Sequence, residues 1–451
     1  MSTSTSTAAE GAAPGSTTTS TVAAAATGEA TSSAPSPSPA PPLSAPHVPI
    51  PKNGVDYRRK IVLAPMVRSG ELPMRLLSLK YGADLVWGPE TIDRSLIGCT
   101  SRPCSRTQTH ILTRLPSNNP RTPSGAPKES ILYRLHPGLE HKKLIFQLGS
   151  ANPALAVAAA TLVAPHVAGI DLNAGCPKPF STSGGMGAAL LRDPDRLCSI
   201  LEALVTEVGT KFEIGISVKI RVLETPERTE ALVRRLVRTG ITGLTVHCRT
   251  PSMRPRERAI REQVPLVVRL CKEAGVAILL NGDVTSRDEG LALATQYGAD
   301  GAMIATAAEK NPSVFRAAAE CGLAGWQEVV REYVKTALAV ENRWGNTKFS
   351  VSQLLSGRGA NIDVAKCKSH VELVEAFGFE DLLPRAREVD EMLGVGRGVG
   401  KRVTEQEEAP VKKVRVEERT QEVGAGDRLV EALEQVGEAV GQGVLPGAIA
   451  A

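Results

Sequence analysis

The chain has 451 residues, 42% of them hydrophobic, and 53 Lys and Arg against 48 Asp and Glu give a formal charge of +5. That length buries a full core and leaves room for one large domain with appendages, and the slight positive balance favours an anionic partner without requiring one. The eight cysteines are scattered with no CxxC pair, which argues against a zinc site or a disulfide framework and for a reducing, intracellular setting without metal. No run approaches the ~20 apolar residues of a membrane span, and the start lacks the basic-then-apolar layout of a secretory signal, so no membrane association is expected. Residues 1–46 are rich in Ser, Thr, Ala and Pro, with Glu10 and Glu29 as their only charges. They read as a disordered tail, taken to end at residue 57.

From 58 to 322 short β-branched runs alternate with helical patterns, the signature of parallel βαβ units. Candidate strands begin at Ile61 (IVLAPM), Leu85 (LVWGPE), Leu144 (LIFQLG), Gly169 (GIDLNAGC), Gly215 (GISVKIR), Gly243 (GLTVHCR), Val276 (VAILLNGD) and Gly301 (GAMIATAA). Helix ends are legible between them: Thr225 caps and Pro226 opens ERTEALVRRLVRTG, which Gly240 closes. Ser286 with Glu289 has capping-box spacing. Eight units predict an α/β fold of the (β/α)8 TIM-barrel type, and no glycine-rich dinucleotide fingerprint follows the first strand to support an open doubly wound sheet.

A barrel of this kind carries its site at the C-terminal ends of its strands. Chemically able residues recur there: Met66, Glu90, Gln147, Asn173 with Cys176, Lys219 with Arg221, His247 with Arg249, Asn281 with Asp283, and Thr306. Residues 94–143, polar and rich in Pro, Ser and Arg, are expected to be an extended loop or insertion between the second and third strands. Residues 326–393 are helical by period and form a second, small C-terminal helical domain carrying Arg331, Lys335, Arg343, Lys348, Arg358, Lys366 and Lys368. The 394–451 segment reads as a low-complexity tail holding PVKKVRV, a candidate nuclear-import or RNA-attracting patch, and a candidate amphipathic helix from Asp427 to Val444.

The segment DLNAGCPKPFSTSGGMGAALL (171–191) sets a lone cysteine just past a strand, in a glycine-rich loop that admits a bulky planar group. Taken singly, Cys176 is as readily a small buried hydrophobe as a catalytic group. The ordered motifs decide between these: APM at 64–66, LPMRLLSLKYGAD, Gln147 in FQLGS, NAGCPK at 173–178, GGMGAALL at 184–191, VKIR at 218–221, VHCR at 246–249 and NGD at 281–283. Together they resemble the tRNA-dihydrouridine synthase family across roughly residues 58–385, and GELPMR, ETID, GNTKFSVSQLL and VEAFGF are similar to its eukaryotic branch acting on uridine 20.

The resemblance implies an oxidoreductase that uses FMN, with NADPH or NADH as reductant, to reduce the C5–C6 bond of a D-loop uridine in tRNA. Hydride from flavin N5 goes to C6 and Cys176 protonates C5; a thiol of ordinary pKa near ~8.5 is still protonated at neutral pH and suits a proton donor. It further implies that Pro65, Met66, Gln147, Lys219 and His247 contact the flavin ring or its side chain, and that Asn281, Gly282, Asp283, Ala305 and Thr306 hold its phosphate. An arginine is usual where this chain has Thr306, so weaker phosphate binding is expected; Ala174 replaces a usual methionine. Asn173, Lys178, Arg221 and Arg249 are expected around a flipped-out uridine, since a stacked base is out of reach of a barrel mouth. The basic helical domain would add tRNA backbone contacts. A monomer is favoured, in the cytoplasm, with the nucleus as a further location. Two alternatives stand beside this one: a small-molecule FMN barrel reductase, and a tRNA-binding protein with weak catalysis.

Overall fold

A computed structural model describes residues 50–115, 129–254, 256–358 and 362–396. The expected N-terminal tail up to residue 49, the PVKKVRV patch and the Asp427–Val444 helix lie outside the described residues.

Eight parallel strands form the centre: β1 (Lys60–Leu63), β2 (Leu85–Trp87), β3 (Leu144–Gly149), β4 (Gly169–Ala174), β5 (Gly215–Arg221), β6 (Gly243–His247), β7 (Ala277–Asn281) and β8 (Gly301–Ile304). Each begins within one residue of its predicted start. β1 pairs with β8 and β2 with β3, so the sheet closes on itself as a TIM barrel. The strands read as near-continuous apolar runs because both faces are covered: helices pack outside, and the barrel interior is filled. The interior layer includes Val62, Ala64, Leu85, Trp87, Ile145, Leu279 and Met303.

Alternation along each strand decides what points inward. In β4 the inward series holds Asp171 and Asn173, in β5 Ser217, Lys219 and Arg221, in β6 Thr245 and His247, and in β7 Leu279 and Asn281. The register sets Asn173 beside Lys219, Arg221 beside His247, and His247 beside Asn281. Polar residues therefore collect toward the C-terminal rim while the other end is closed by apolar ones. Tyr57 closes it: the ring stacks 6.1 Å from Trp87 at a tilt, and a Cβ on Gly243 would stand 2.8 Å from it. The expectation of a tail through residue 57 is thus corrected, because Val55 and Tyr57 are buried parts of the barrel floor. Composition concealed this, since among the described residues of that stretch the buried ones are Val55 and Tyr57.

The helix caps behave as their residues predict. Thr225 accepts a hydrogen bond from the Arg228 amide ahead of helix Pro226–Leu236, and Ser286 accepts from Glu289 ahead of helix Arg287–Tyr297. The first helix ends at Leu236 and the chain then turns to Gly240, which holds φ +86.

The 94–143 stretch is an insertion but not simply a loop. Strands Thr100–Cys104, Thr109–Arg114 and Ser130–Leu135 form an antiparallel sheet. One face buries Leu112, Tyr133 and Leu135, and Tyr133 meets Phe146 of β3 edge-on at 4.9 Å between centroids. Among the described residues Ser101, Arg102, Pro103, Ser105, Arg106 and Arg114 are exposed, which masked a two-residue apolar period.

Four helices follow the barrel, Trp326–Ala339, Trp344–Leu355, His370–Ala376 and Leu383–Leu393, within the same compact unit. The first lies against helix Leu72–Lys80, burying Val330, Tyr333, Val334 and Ala337, with Lys80 paired to Glu332 at 2.6 Å. Several of the basic residues expected to meet RNA have partners inside the protein. Arg331 pairs with Asp381 at 2.7 Å, Lys348 donates to the Ala365 and Cys367 carbonyls, and Arg358 donates to the Lys310 carbonyl. Lys335 and Lys368 are exposed.

Candidate active site

Cys176 lies on the loop that leaves β4, and three side chains fix that loop. The Asn173 Oδ1 accepts from the amides of Gly175 and Cys176 at 3.0 and 3.1 Å, an Asx-type turn that aims the cysteine off the strand end. Arg221 reaches across from β5, its Nε donating to the Gly175 carbonyl at 2.7 Å and a terminal nitrogen to the Thr250 carbonyl at 3.0 Å. Ser181 and Gly187 then pack the loop against itself, with the Ala188 amide on the Cys176 carbonyl at 2.8 Å. Cys176 itself is partly exposed, and burial pushes its thiol pKa up. It is a thiol at neutral pH.

Inside the rim, Lys219 donates to Asn281 Oδ1 at 3.0 Å, and the Asn281 amide donates to the Met303 carbonyl at 2.9 Å. Burial and the neighbouring Arg221 bring the Lys219 ammonium down to about 8, so it remains mostly a cation at neutral pH. His247 is driven the other way from a charge: burial, Lys219, Arg221 and Arg249 keep the ring neutral. Arg249 donates to its Nε2 at 3.2 Å, which places the remaining ring hydrogen on Nδ1.

Gln147 does not stand free. Its amide donates to Asp171 at 2.9 Å, and Ser217 donates to the other oxygen of the same carboxyl at 2.8 Å. Asp171 is fully buried and its pKa is raised to about 6 by that burial. Sequence reasoning missed Asp171 and Ser217; their inward parity on β4 and β5 was the available signal. It also left Glu90 without a role.

Arg249 is 6% exposed, and each of its three nitrogens already donates, to the Glu257 carbonyl, His247 and Asp283. Asp283, at φ +50, also accepts from the Ala259 amide at 2.7 Å, and Gly282 beside it holds φ +117. This corner is a tight backbone turn braced by Arg249 and Arg261. Ala305 and Thr306 follow β8, and Thr306 is exposed. Pro65 and Met66 follow β1, where the Met66 carbonyl accepts from the Gly70 amide at 2.7 Å. Lys178 is exposed beside Cys176. The strand ends thus bring together Asn173, Cys176, Lys219, Arg221, His247 and Asn281, while Lys178 and Thr306 stay outward. Among the described residues there is no cluster of three or more potential metal ligands.

A buried cation, a neutral histidine and a protonated thiol gather at the C-terminal rim of a TIM barrel, the end at which enzymes of this fold carry their sites. The model of the dihydrouridine synthase family matches residues 62–366. The chain belongs to the dihydrouridine synthase family. A Schizosaccharomyces pombe protein named tRNA-dihydrouridine(20) synthase [NAD(P)+] is 48% identical over 72% of this chain and 66% of its own length. A Saccharomyces cerevisiae protein of the same name is 44% identical over 71% of this chain and 83% of its own. A second S. cerevisiae protein, a tRNA-dihydrouridine(20a/20b) synthase, is 28% identical over 58% of this chain and 63% of its own length. The match with the S. pombe relative therefore spans just under two thirds of that protein.

Proposed function

We propose that this protein is an oxidoreductase that reduces a D-loop uridine of tRNA, at position 20, to dihydrouridine, using FMN and NADPH or NADH. The observation that carries the reading is Cys176 held as a thiol at the barrel rim by Asn173 and Arg221, above the Lys219–Asn281 pair.

FMN fits the donor set. The Lys219 ammonium has three N–H groups and Asn281 takes one of them, which leaves room for an anionic ring edge. Pro65, Met66, Gln147, Lys219 and His247 would hold the ring system, and the turn at Asn281, Gly282 and Asp283 with Ala305 and Thr306 its phosphate. When bound and reduced, the flavin supplies a hydride to uracil C6. Lys219 favours negative charge on its neighbour, and neutral His247 donates through Nδ1 without adding charge. Cys176 gives its proton at C5 of the base and is left as a thiolate, which water re-protonates between turnovers. Asn173 and Arg221 hold the acid in place, and exposed Lys178 faces the phosphates of an extruded uridine. Lys335 and Lys368, which remain exposed, are the helical segment's contribution to the tRNA backbone. A cytoplasmic protein, also entering the nucleus, is consistent with this substrate.

The test is mass spectrometry of nucleosides from tRNA lacking dihydrouridine, after incubation with protein, FMN and NADPH. Dihydrouridine from the wild type and none from Cys176→Ala supports the reading. No dihydrouridine from a protein whose flavin is bound and reduced overturns the substrate, and points to a small-molecule reductase.

A further inference from the structure

Glu90 stands at the barrel rim between the end of β2 and the two-residue strand Thr91–Ile92, which pairs with Leu148 and Gly149. Its Oε1 accepts a hydrogen bond from Ser181 Oγ at 2.9 Å. Beneath it is Gly149, where a Cβ would come within 2.6 Å of that oxygen, so the carboxyl occupies space only a glycine leaves open. The other oxygen, Oε2, is buried without a hydrogen-bond partner. Burial raises the pKa of this carboxyl, and Ser181, Asn173 and Cys176 draw it back down. Ser181 belongs to the cysteine's own loop, and a Cβ on Gly187 of that loop would stand 2.6 Å from the Cys176 carbonyl. Glu90, Ser181 and Cys176 therefore form one packed unit.

A buried carboxyl with an unused oxygen costs stability unless something requires it there. The charges around the thiol supply a reason. Burial raises the thiol pKa most; among the charges, Lys178 on its own loop and Arg221 on β5 favour the thiolate, Lys219 on β5 also acts on the sulfur, and Glu90 opposes them. A proton donor surrounded by three cations would be drawn toward the wrong ionisation state.

We propose that Glu90 is a positioning residue for Cys176: tied down by Ser181, its carboxylate offsets the surrounding cations and holds the cysteine as the thiol that protonates the base. This rests on the assignment of Cys176 as the acid. The proton that the sulfur gives to C5 is replaced from water, because a thiolate beside a carboxylate is disfavoured.

The test is the pH dependence of Cys176 alkylation by iodoacetamide between pH 6 and 10, followed by peptide mass spectrometry on the full-length protein as purified. Glu90→Gln should lower the midpoint by about half a unit or more, so that Cys176 alkylates about threefold faster at neutral pH. Glu90→Asp, which keeps the charge, should stay near the wild-type midpoint. Equal shifts in both variants, or none in either, overturn the proposal. If the Gln variant does not fold, Ser181→Ala unties the carboxyl: a lowered midpoint supports the proposal and an unchanged one overturns it. Alkylation needs no tRNA, so a failure here is distinguishable from a failure of the substrate reading, which only the dihydrouridine assay reports.

Discussion

Lys219 on β5 donates to Asn281 on β7 at 3.0 Å, spanning the strand between them across the barrel mouth. A lysine drawn this far inward has its pKa lowered to about 8 and keeps its charge only because the rim is polar. Replacing it with methionine removes the cation expected beside the flavin. Lys219→Met should retain less flavin after gel filtration and slow flavin reduction by NADPH about 10- to 100-fold, the range of one lost charge-assisted hydrogen bond. Flavin absorbance and stopped-flow reduction check both.

The acid itself should announce its pKa. Burial raises the Cys176 thiol, and the protonated form is the active one, so the rate of dihydrouridine formation should hold level through neutral pH. It should fall as pH rises through the thiol pKa, above the ordinary range of about 8.5. Cys176→Ala should lose about 10²- to 10⁴-fold in rate and lose that alkaline limb. A limb persisting in the variant would assign it to another group.

Arg221 acts on the position of the loop. Its two hydrogen bonds go to the carbonyls of Gly175 and Thr250, one on each flank of the site. Arg221→Lys keeps the charge and loses the two-pronged contact. The turnover rate should fall about tenfold or more while tRNA affinity changes little, since 1 Å of misplacement is costly to catalysis. A gel-shift titration beside single-turnover kinetics separates the two.

Asp171 offers a prediction in stability. Its pKa rises from 3.8 in the unfolded chain to about 6 in the folded one, so the folded state holds the proton more tightly. The contribution to folding is fully present below pH 3.8 and is lost as pH rises from there through about 6, by up to about 3 kcal/mol for a shift of this size. Asp171→Asn removes the titration. The melting temperature of the variant relative to wild type should rise between pH 4 and pH 7, and a difference independent of pH would contradict the assignment.

Thr306 is exposed at the position where the resemblance leads to the expectation of an arginine. Thr306→Arg should tighten FMN binding about 10-fold or more through a charge-assisted phosphate contact, measured by fluorescence quenching of the flavin. Phosphate added in excess should reverse the gain.

The eight strands were legible because each is a short apolar run bounded by helix caps, and a closed parallel sheet demands such runs of every strand. That Asn173, Lys219, Arg221, His247 and Asn281 gather at one rim was legible from the recurrence of polar residues at the C-terminal strand ends, since a single one would mean little. The three-stranded sheet in the insertion was not, since its turns and exposed face dominate its composition. Nor was the burial of Val55 and Tyr57, which depends on a cavity that forms only when the barrel closes.

The sequence by itself determined the barrel, its rim and the family, because strand period, helix caps and motif order are local or linear properties of the chain. Only the tertiary structure decided how those residues divide their work: that Asn173 and Arg221 shape the cysteine loop, that Arg249 meets Asp283 and His247, that Asp171 anchors Gln147, and that Ser181 of the cysteine loop binds Glu90. Those assignments turn on which hydrogen-bond partners and charges meet across strands far apart in the sequence, and no spacing along the chain encodes them.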